Sequence, residues 1–426
     1  MESRQEQQLD EMAAVIEASA AVISELDISQ VLQAVMDRAK EIVRSEASSL
    51  LLLNDTGEYL EFQVALGSKA HQLGKVPSLK VGQGIAGWVA KTGQPLLIAD
   101  VDQDPRFFRG TDELTGFKTQ SVLCVPMKVK GVVIGVIEVM NPRDKDAFSE
   151  SDLKVLDIFS SLASIAVENA RLIKALTEQE AVNRELKFAH EIQSRLLVHD
   201  FLRTPRWAFY AKTQAAREIG GDFYDLLQTD DRSIASVIGD VSGKGISAAL
   251  YMVQILNQFR MAVLRSGDGV SVVEGLNRWM THQAAFGMFV TASFFWLEEA
   301  LPCVRVVNAG HLPSCIYRKE SHSIEKCLGR SGLPLGIDSE GHYQTERWTL
   351  KSGDRIILIT DGVIEARNNR GEEWGGDRLE KFIMEKMPRS SSQELVDSIF
   401  HELDRFRGPF AFADDVTVMA AECLDG

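Results

Sequence analysis

Residues 233–250 read SIASVIGDVSGKGISAAL. An apolar β-type run stops at Gly239-Asp240, a glycine-punctuated turn follows, and helical spacing begins at Ile246. Glycine permits tight turns and bare backbone, so an aspartate beside it at a strand end can approach a ligand closely. Three further acidic motifs stand at strand ends. REIGGDFYD at 217–225 supplies Asp222, IILITDGV at 356–363 supplies Asp361, and FADDVTV at 412–418 supplies Asp414 and Asp415. Two carboxylates about 4 Å apart repel by roughly 4 kcal/mol at an effective dielectric near 20. A fold that brings these strand ends together therefore needs cations between them. Carboxylate and carbonyl oxygens suit magnesium or manganese rather than zinc. GDVSGKG is not a Walker loop, because Gly245 stands where that motif requires serine or threonine. None of the cysteines and no serine sits in a nucleophile elbow.

Around these motifs, short β-type runs alternate with helical patterns near 246–265, 268–281 and 390–406. The runs are apolar on both sides, which implies buried sheets covered by helices. Upstream, residues 173–200 contain neither glycine nor proline. Val182, Leu186, Ala189, Ile192 and Leu196 form one stripe, continuing a helix that starts at Ser149. A rigid helical connector is expected, ended by Pro205. Further upstream the order is helix, hairpin, helix, hairpin, helix. The hairpin turns fall at Asn54–Gly57 and near Lys130-Gly131, and amphipathic helices are expected over 9–24 and 28–43. This order predicts an antiparallel sheet flanked by helices.

Composition excludes several classes. Hydrophobic residues at 45% and charged residues at 25% describe an ordinary folded protein, so disorder is not the dominant state. With 46 basic and 61 acidic residues, the net charge of −15 offers no excess to neutralise nucleic-acid phosphates. No apolar run approaches the ~20 residues of a membrane span. Five scattered cysteines without a CxxC pair, and no signal-like N-terminus, suit a reducing cytoplasm.

Two family resemblances organise the chain. GIAGWVAKTGQPLLIADVDQDPRF at 84–107, SVLCVPMKVKGVVIGVIEVMNP at 121–142 and FSESDLKVLDIFSSLASIAVENARL at 148–172 resemble a GAF domain. That implies a small-molecule sensor or dimerisation module with an unknown ligand. Asn141-Pro142 and Phe148…Asp152-Leu153 lack the lysine and glutamate of the cyclic-nucleotide-binding signature. Cys124 and Trp88 read as core residues. The ordered set GGDFYD, GDVSGKGISAAL, NAGHLP, TDGVIEAR, DDVTV resembles the PPM-type metal-dependent serine/threonine phosphatases, most closely the SpoIIE-like branch. HEIQSRLL resembles the helix that precedes that domain.

The resulting organisation is α+β: an N-terminal helix over 1–19, a GAF-like sensor over 20–172, a helical linker over 173–204 and a PPM-type β-sandwich covered by helices over 205–426. The resemblance implies two Mn2+ or Mg2+ ions, with Asp240 bridging both and the Val241 carbonyl helping to hold one. It implies Asp361 and Asp414 on the other ion, Asp222 supporting the site directly or through water, and Arg217 binding phosphate. In place of the histidine that serves animal relatives as general acid, this chain has Ser242. His311 reads as structural. The implied substrate is a phosphorylated STAS-type anti-anti-sigma protein, and the apolar stripes lead us to expect a homodimer. Two alternatives compete with this reading: a catalytically silent ligand-gated scaffold and a diguanylate cyclase. GGDFYD fails as a cyclase motif because Phe223-Tyr224 replaces the required Glu-Phe.

Overall fold

The computed structural model describes residues 28–71, 77–229, 233–266, 268–283, 287–327, 332–387 and 390–425. The helix expected over 1–19 lies outside the described residues. The chain divides into two compact units, Met1–Ala181 and Val182–Gly426.

In the first unit, strands β1 (Ser45–Leu53), β2 (Tyr59–Leu66), β3 (Leu79–Lys80), β4 (Leu96–Ile98), β5 (Val122–Val129) and β6 (Val132–Pro142) form one antiparallel sheet in the order β3-β2-β1-β6-β5-β4. Alternation along β5 decides which face each residue serves. Leu123 and Val125 join Leu32, Met36 and Phe159 under the flanking helices, while Val122 and Cys124 join Ile85 and Val89 under helix Gly84–Thr92. Cys124 is a buried core residue, and Trp88 packs at the margin of the second cluster, its ring 4.8 Å beneath the Arg106 guanidinium. The β5–β6 turn is the expected one. Lys130 and Gly131 have φ of 48° and 84°, the left-handed pair whose twist matches two flanking strands.

The second unit is a sandwich of two five-stranded antiparallel sheets. One holds β8 (Phe223–Gln228), β9 (Ser233–Val241), β10 (Val290–Glu298), β11 (Cys303–Ala309) and β14 (Glu346–Thr349). The other holds β7 (Trp207–Gln214), β12 (Ser314–Arg318), β13 (Ser323–Cys327), β15 (Arg355–Ile359) and β16 (Val416–Cys423). Helices Ile246–Arg265 and Gly269–Gln283 share the large core with the first sheet through Met252, Phe259 and Leu276. Helices Gly376–Lys386 and Ser392–Arg407 cover the second through Ile383, Leu395 and Phe400. Ser236 on β9 donates a hydrogen bond to the Met419 sulfur on β16, which fixes the sheets face to face.

One boundary differs from the sequence expectation. The helix that opens at Glu150 ends at Leu196, ahead of Pro205. Its terminal carbonyls find partners in the second unit. The Arg260 guanidinium donates to Leu196 O at 2.8 Å, and a His199 ring nitrogen lies 2.6 Å from Ser194 O. Arg260 also pairs with Asp225, whose side chain is only 1% exposed, at 2.6 Å. Arg260→Ala would strand that buried carboxylate and uncap the helix. A loss of about 3 kcal/mol is expected in urea unfolding of the second unit. A loss below 1 kcal/mol would contradict this role.

Candidate active site

Each sheet delivers carboxylates to the same edge of the sandwich. Asp222 immediately precedes β8 and Asp240 is the penultimate residue of β9, with Val241 closing that strand. Phe223 pairs with Gly239, which holds the two strand ends side by side. From the other sheet, Asp361 opens the short helix Asp361–Glu365 directly after β15, and Asp414-Asp415 lead into β16.

Asp222 is the tie between the sheets. Its Oδ2 accepts hydrogen bonds from Thr360 Oγ1 at 2.7 Å and Thr417 Oγ1 at 2.6 Å, both on the opposite sheet. Its Oδ1 is buried without a hydrogen-bond partner among the described residues. Burial, then the neighbouring charge of Asp240, raise its pKa well above the carboxylate range, against the pull of the two threonines. Asp240 is pushed up to about 7, first by burial and then by the charges of Asp361, Asp414 and Asp415. Asp361 is also raised, by burial and by Asp414, while backbone hydrogen bonds and Lys244 act in the other direction. The four carboxylates thus feel one another through a partly dry edge.

Two glycines allow this approach. A Cβ at Gly221 would lie 3.0 Å from Val241 O and 3.4 Å from Asp240 Oδ1, so the loop carrying Asp222 lies directly against both. At Gly362 a Cβ would fall 2.0 Å from Asp415 O, a position backbone cannot vacate cheaply. The Asp361 turn seats on the Asp414-Asp415 backbone for this reason.

Other site residues were hidden in the sequence. Lys244 places its ammonium 2.8 Å from Asp414 Oδ2 and 2.7 Å from Ala413 O, a counter-charge inside the quoted glycine turn. Asp415 does not point at the cluster's centre. It accepts from Ala216 N at 2.8 Å and Gly221 N at 2.6 Å, and so clamps the loop that carries Asp222. Gln193 holds the same loop from the helix side: its amide donates to Gly220 O at 2.7 Å and accepts from Gly220 N at 3.3 Å. A buried glutamine within HEIQSRLL was the available signal. Arg217 is exposed on this loop and borders a groove of about 590 Å3 shared with Asp222, Asp415 and Lys212. Ser242 accepts a hydrogen bond from Phe289 N at 2.8 Å, a structural task. His311 is buried, its pKa lowered to about 4 by burial, and its backbone is held by Asn308 at 2.8 Å.

Among the described residues, no group of three or more His, Cys, Asp or Glu side chains is drawn close enough to enclose an ion. In charge and donor type the set nevertheless fits magnesium or manganese. It offers carboxylate oxygens in excess of positive charge and one buried, unpartnered oxygen on Asp222.

Known proteins share both units. A GAF domain model matches residues 27–167, and a family model described as Stage II sporulation protein E (SpoIIE) matches residues 230–424. The chain is 30% identical over 241 residues to phosphoserine phosphatase RsbU of Bacillus subtilis (strain 168), covering 57% of this chain and 70% of that protein. It is 28% identical over 280 residues to protein IcfG of Synechocystis sp., covering 58% of this chain and 43% of IcfG, so it spans less than half of that relative. The SiaA-PP2C domain of Pseudomonas aeruginosa superposes with a TM-score of 0.50 at 18% identity, covering 57% of this chain and 98% of that domain, which is a likeness of fold.

Replacing Thr417 by valine removes one donor to a buried oxygen of Asp222. A destabilisation of about 1–3 kcal/mol is expected in urea unfolding. A stability equal to that of the parent would show that the tie between the sheets is not made.

Proposed function

This chain belongs to the SpoIIE-type phosphoprotein phosphatases, with a GAF domain ahead of the catalytic one, and from that premise we propose that it hydrolyses phosphoserine and phosphothreonine on a partner protein with two divalent cations. The observation that carries the metal reading is the cluster itself. Asp240 is driven up to about 7 by burial and three neighbouring carboxylates, and Asp222 Oδ1 is buried without a partner. Asp240 would reach both ions, Val241 O would help hold one, and Asp361 and Asp414 would hold the other. Asp222 would support the site directly or through water. Bound there, Mn2+ or Mg2+ supplies Lewis acidity for in-line attack of water on phosphorus.

The chain's own residues do the rest. Arg217, exposed on the groove that Asp222 also lines, would bind the phosphate dianion. Gly243 and Gly245, at φ of 97° and 78°, hold the turn that carries Lys244 at the site's other end. Ser242 is engaged by Phe289 N and is far too weak an acid to protonate the leaving group, so that proton would come from a metal-bound water or the step would proceed without a general acid.

The partner we favour is a STAS-type anti-anti-sigma protein, in keeping with the likeness to RsbU. No helix among the described residues is long and apolar enough to cross a membrane. We place the protein in the cytoplasm as a homodimer, on the connector stripe Val182, Leu186, Ala189, Ile192 and Leu196, of which Val182 and Ile192 are exposed. A small molecule at the GAF domain would control the phosphatase through that helix, because Gln193 near its end grips the loop that carries Asp222.

With Mn2+, the purified chain should release phosphate from a phosphoserine STAS protein, and Asp240→Ala should lower kcat at least a thousandfold with its circular dichroism unchanged. Turnover retained in Asp240→Ala would sink this reading. Gln193→Ala should reduce kcat about tenfold at unchanged thermal stability of the first unit; an unaltered kcat would remove the helix from the control path.

A further inference from the structure

Glu138 sits in the middle of β6, the strand flanked by β1 and β5, and pairs across the sheet with Ser49 on one side and Cys124 on the other. Its neighbours on that face, Val136 and Met140, belong to the apolar cluster under helix Gly84–Thr92. An acid at such a position is costly unless its charge is matched. Ser49 Oγ donates to Glu138 Oε2 at 3.1 Å, and among the described residues no lysine, arginine or histidine forms an ion pair with it. Burial pushes its pKa up to about 7, against the pull of Ser49.

The carboxyl lines a cavity of about 90 Å3 whose other walls include Phe62, Ile85, Phe107 and Phe108. Asp112 also borders it, but both Asp112 oxygens already accept from Thr119, from the amide and the hydroxyl, each at 2.8 Å. Among the described residues, no basic side chain lines the cavity. An anionic ligand would therefore meet a like charge and no counter-charge. A ligand with N–H groups would supply what Glu138 lacks, and the aromatic walls suit a small flat body.

We propose that this cavity binds a small organic cation of the amidinium or alkylammonium type, whose N–H groups meet the Glu138 carboxyl and whose apolar body lies among the phenylalanines. The proposal rests on the reading that the GAF unit takes a small molecule, and it names the class. It also sets this domain apart from cyclic-nucleotide sensors, since among the described residues the cavity offers no cation for a phosphate.

The test is calorimetric titration of the full chain at pH 8 with acetamidinium, benzamidinium, benzoate and cyclic GMP. At least one amidinium should bind, benzoate and cyclic GMP should not, and Glu138→Gln should weaken amidinium binding at least tenfold while keeping the fold. Binding of benzoate or cyclic GMP without either amidinium would overturn the class and leave a small-molecule site standing. No binding by any probe would overturn both. Equal amidinium affinity in Glu138→Gln would remove Glu138 from the contact. On the unmodified chain, amidinium affinity should fall from pH 8 to pH 5 as Glu138 is protonated. The other titratable groups facing it are Asp112, tied to Thr119, and Cys124, whose thiol burial holds well above its usual range. An affinity independent of pH would contradict the proposal.

Discussion

Four carboxylates at one edge of a β-sandwich repel each other, and the catalytic unit is organised around containing that repulsion. Asp222 and Asp240 come from one sheet, Asp361 and Asp414 from the other, so the cluster exists only when the two sheets are correctly packed. The threonines at 360 and 417 hold one oxygen of Asp222 across the sheets, and Lys244 offsets Asp414. These contacts tame the charge without cancelling it. What remains is an unpartnered buried oxygen on Asp222 and an Asp240 raised to about 7, the excess charge that the proposed cations would offset.

The loop at 215–222 gathers the structural consequences. Asp415 clamps it from the second sheet, Gln193 from the end of the long helix, and Gly221 lets it lie against Val241 and Asp240. A loop held from two sides can pass a displacement of either holder to Asp222. This gives the proposed control by the GAF unit a physical handle in hydrogen bonds rather than in proximity.

Much of this was legible in the sequence. The strand–aspartate–glycine–helix pattern at 233–250 predicted β9 and helix Ile246–Arg265, and the Lys130-Gly131 turn fell where expected. What the sequence concealed depends on long-range partners. Thr360 and Thr417 sit inside the TDGVIEAR and DDVTV motifs, but they lie 138 and 195 residues from Asp222 and nothing local ties them to it. Helix Glu150–Leu196 ends where Arg260, on another helix, donates to its last carbonyl, whereas the local text permitted continuation towards Pro205. Nothing in the local pattern of β6 gives Glu138 a role. Its oddity appears only when both faces of the sheet are seen to be covered and the cavity beside it is found to lack a basic side chain among the described residues.

The central claim is that the repelling cluster is a cation site built by both sheets. Titration of Mn2+ into the full chain, followed by calorimetry, tests it most directly. The account predicts two ions bound per chain, with binding abolished in Asp240→Asn. A chain that binds no Mn2+, or an Asp240→Asn variant that binds as the parent does, would contradict it.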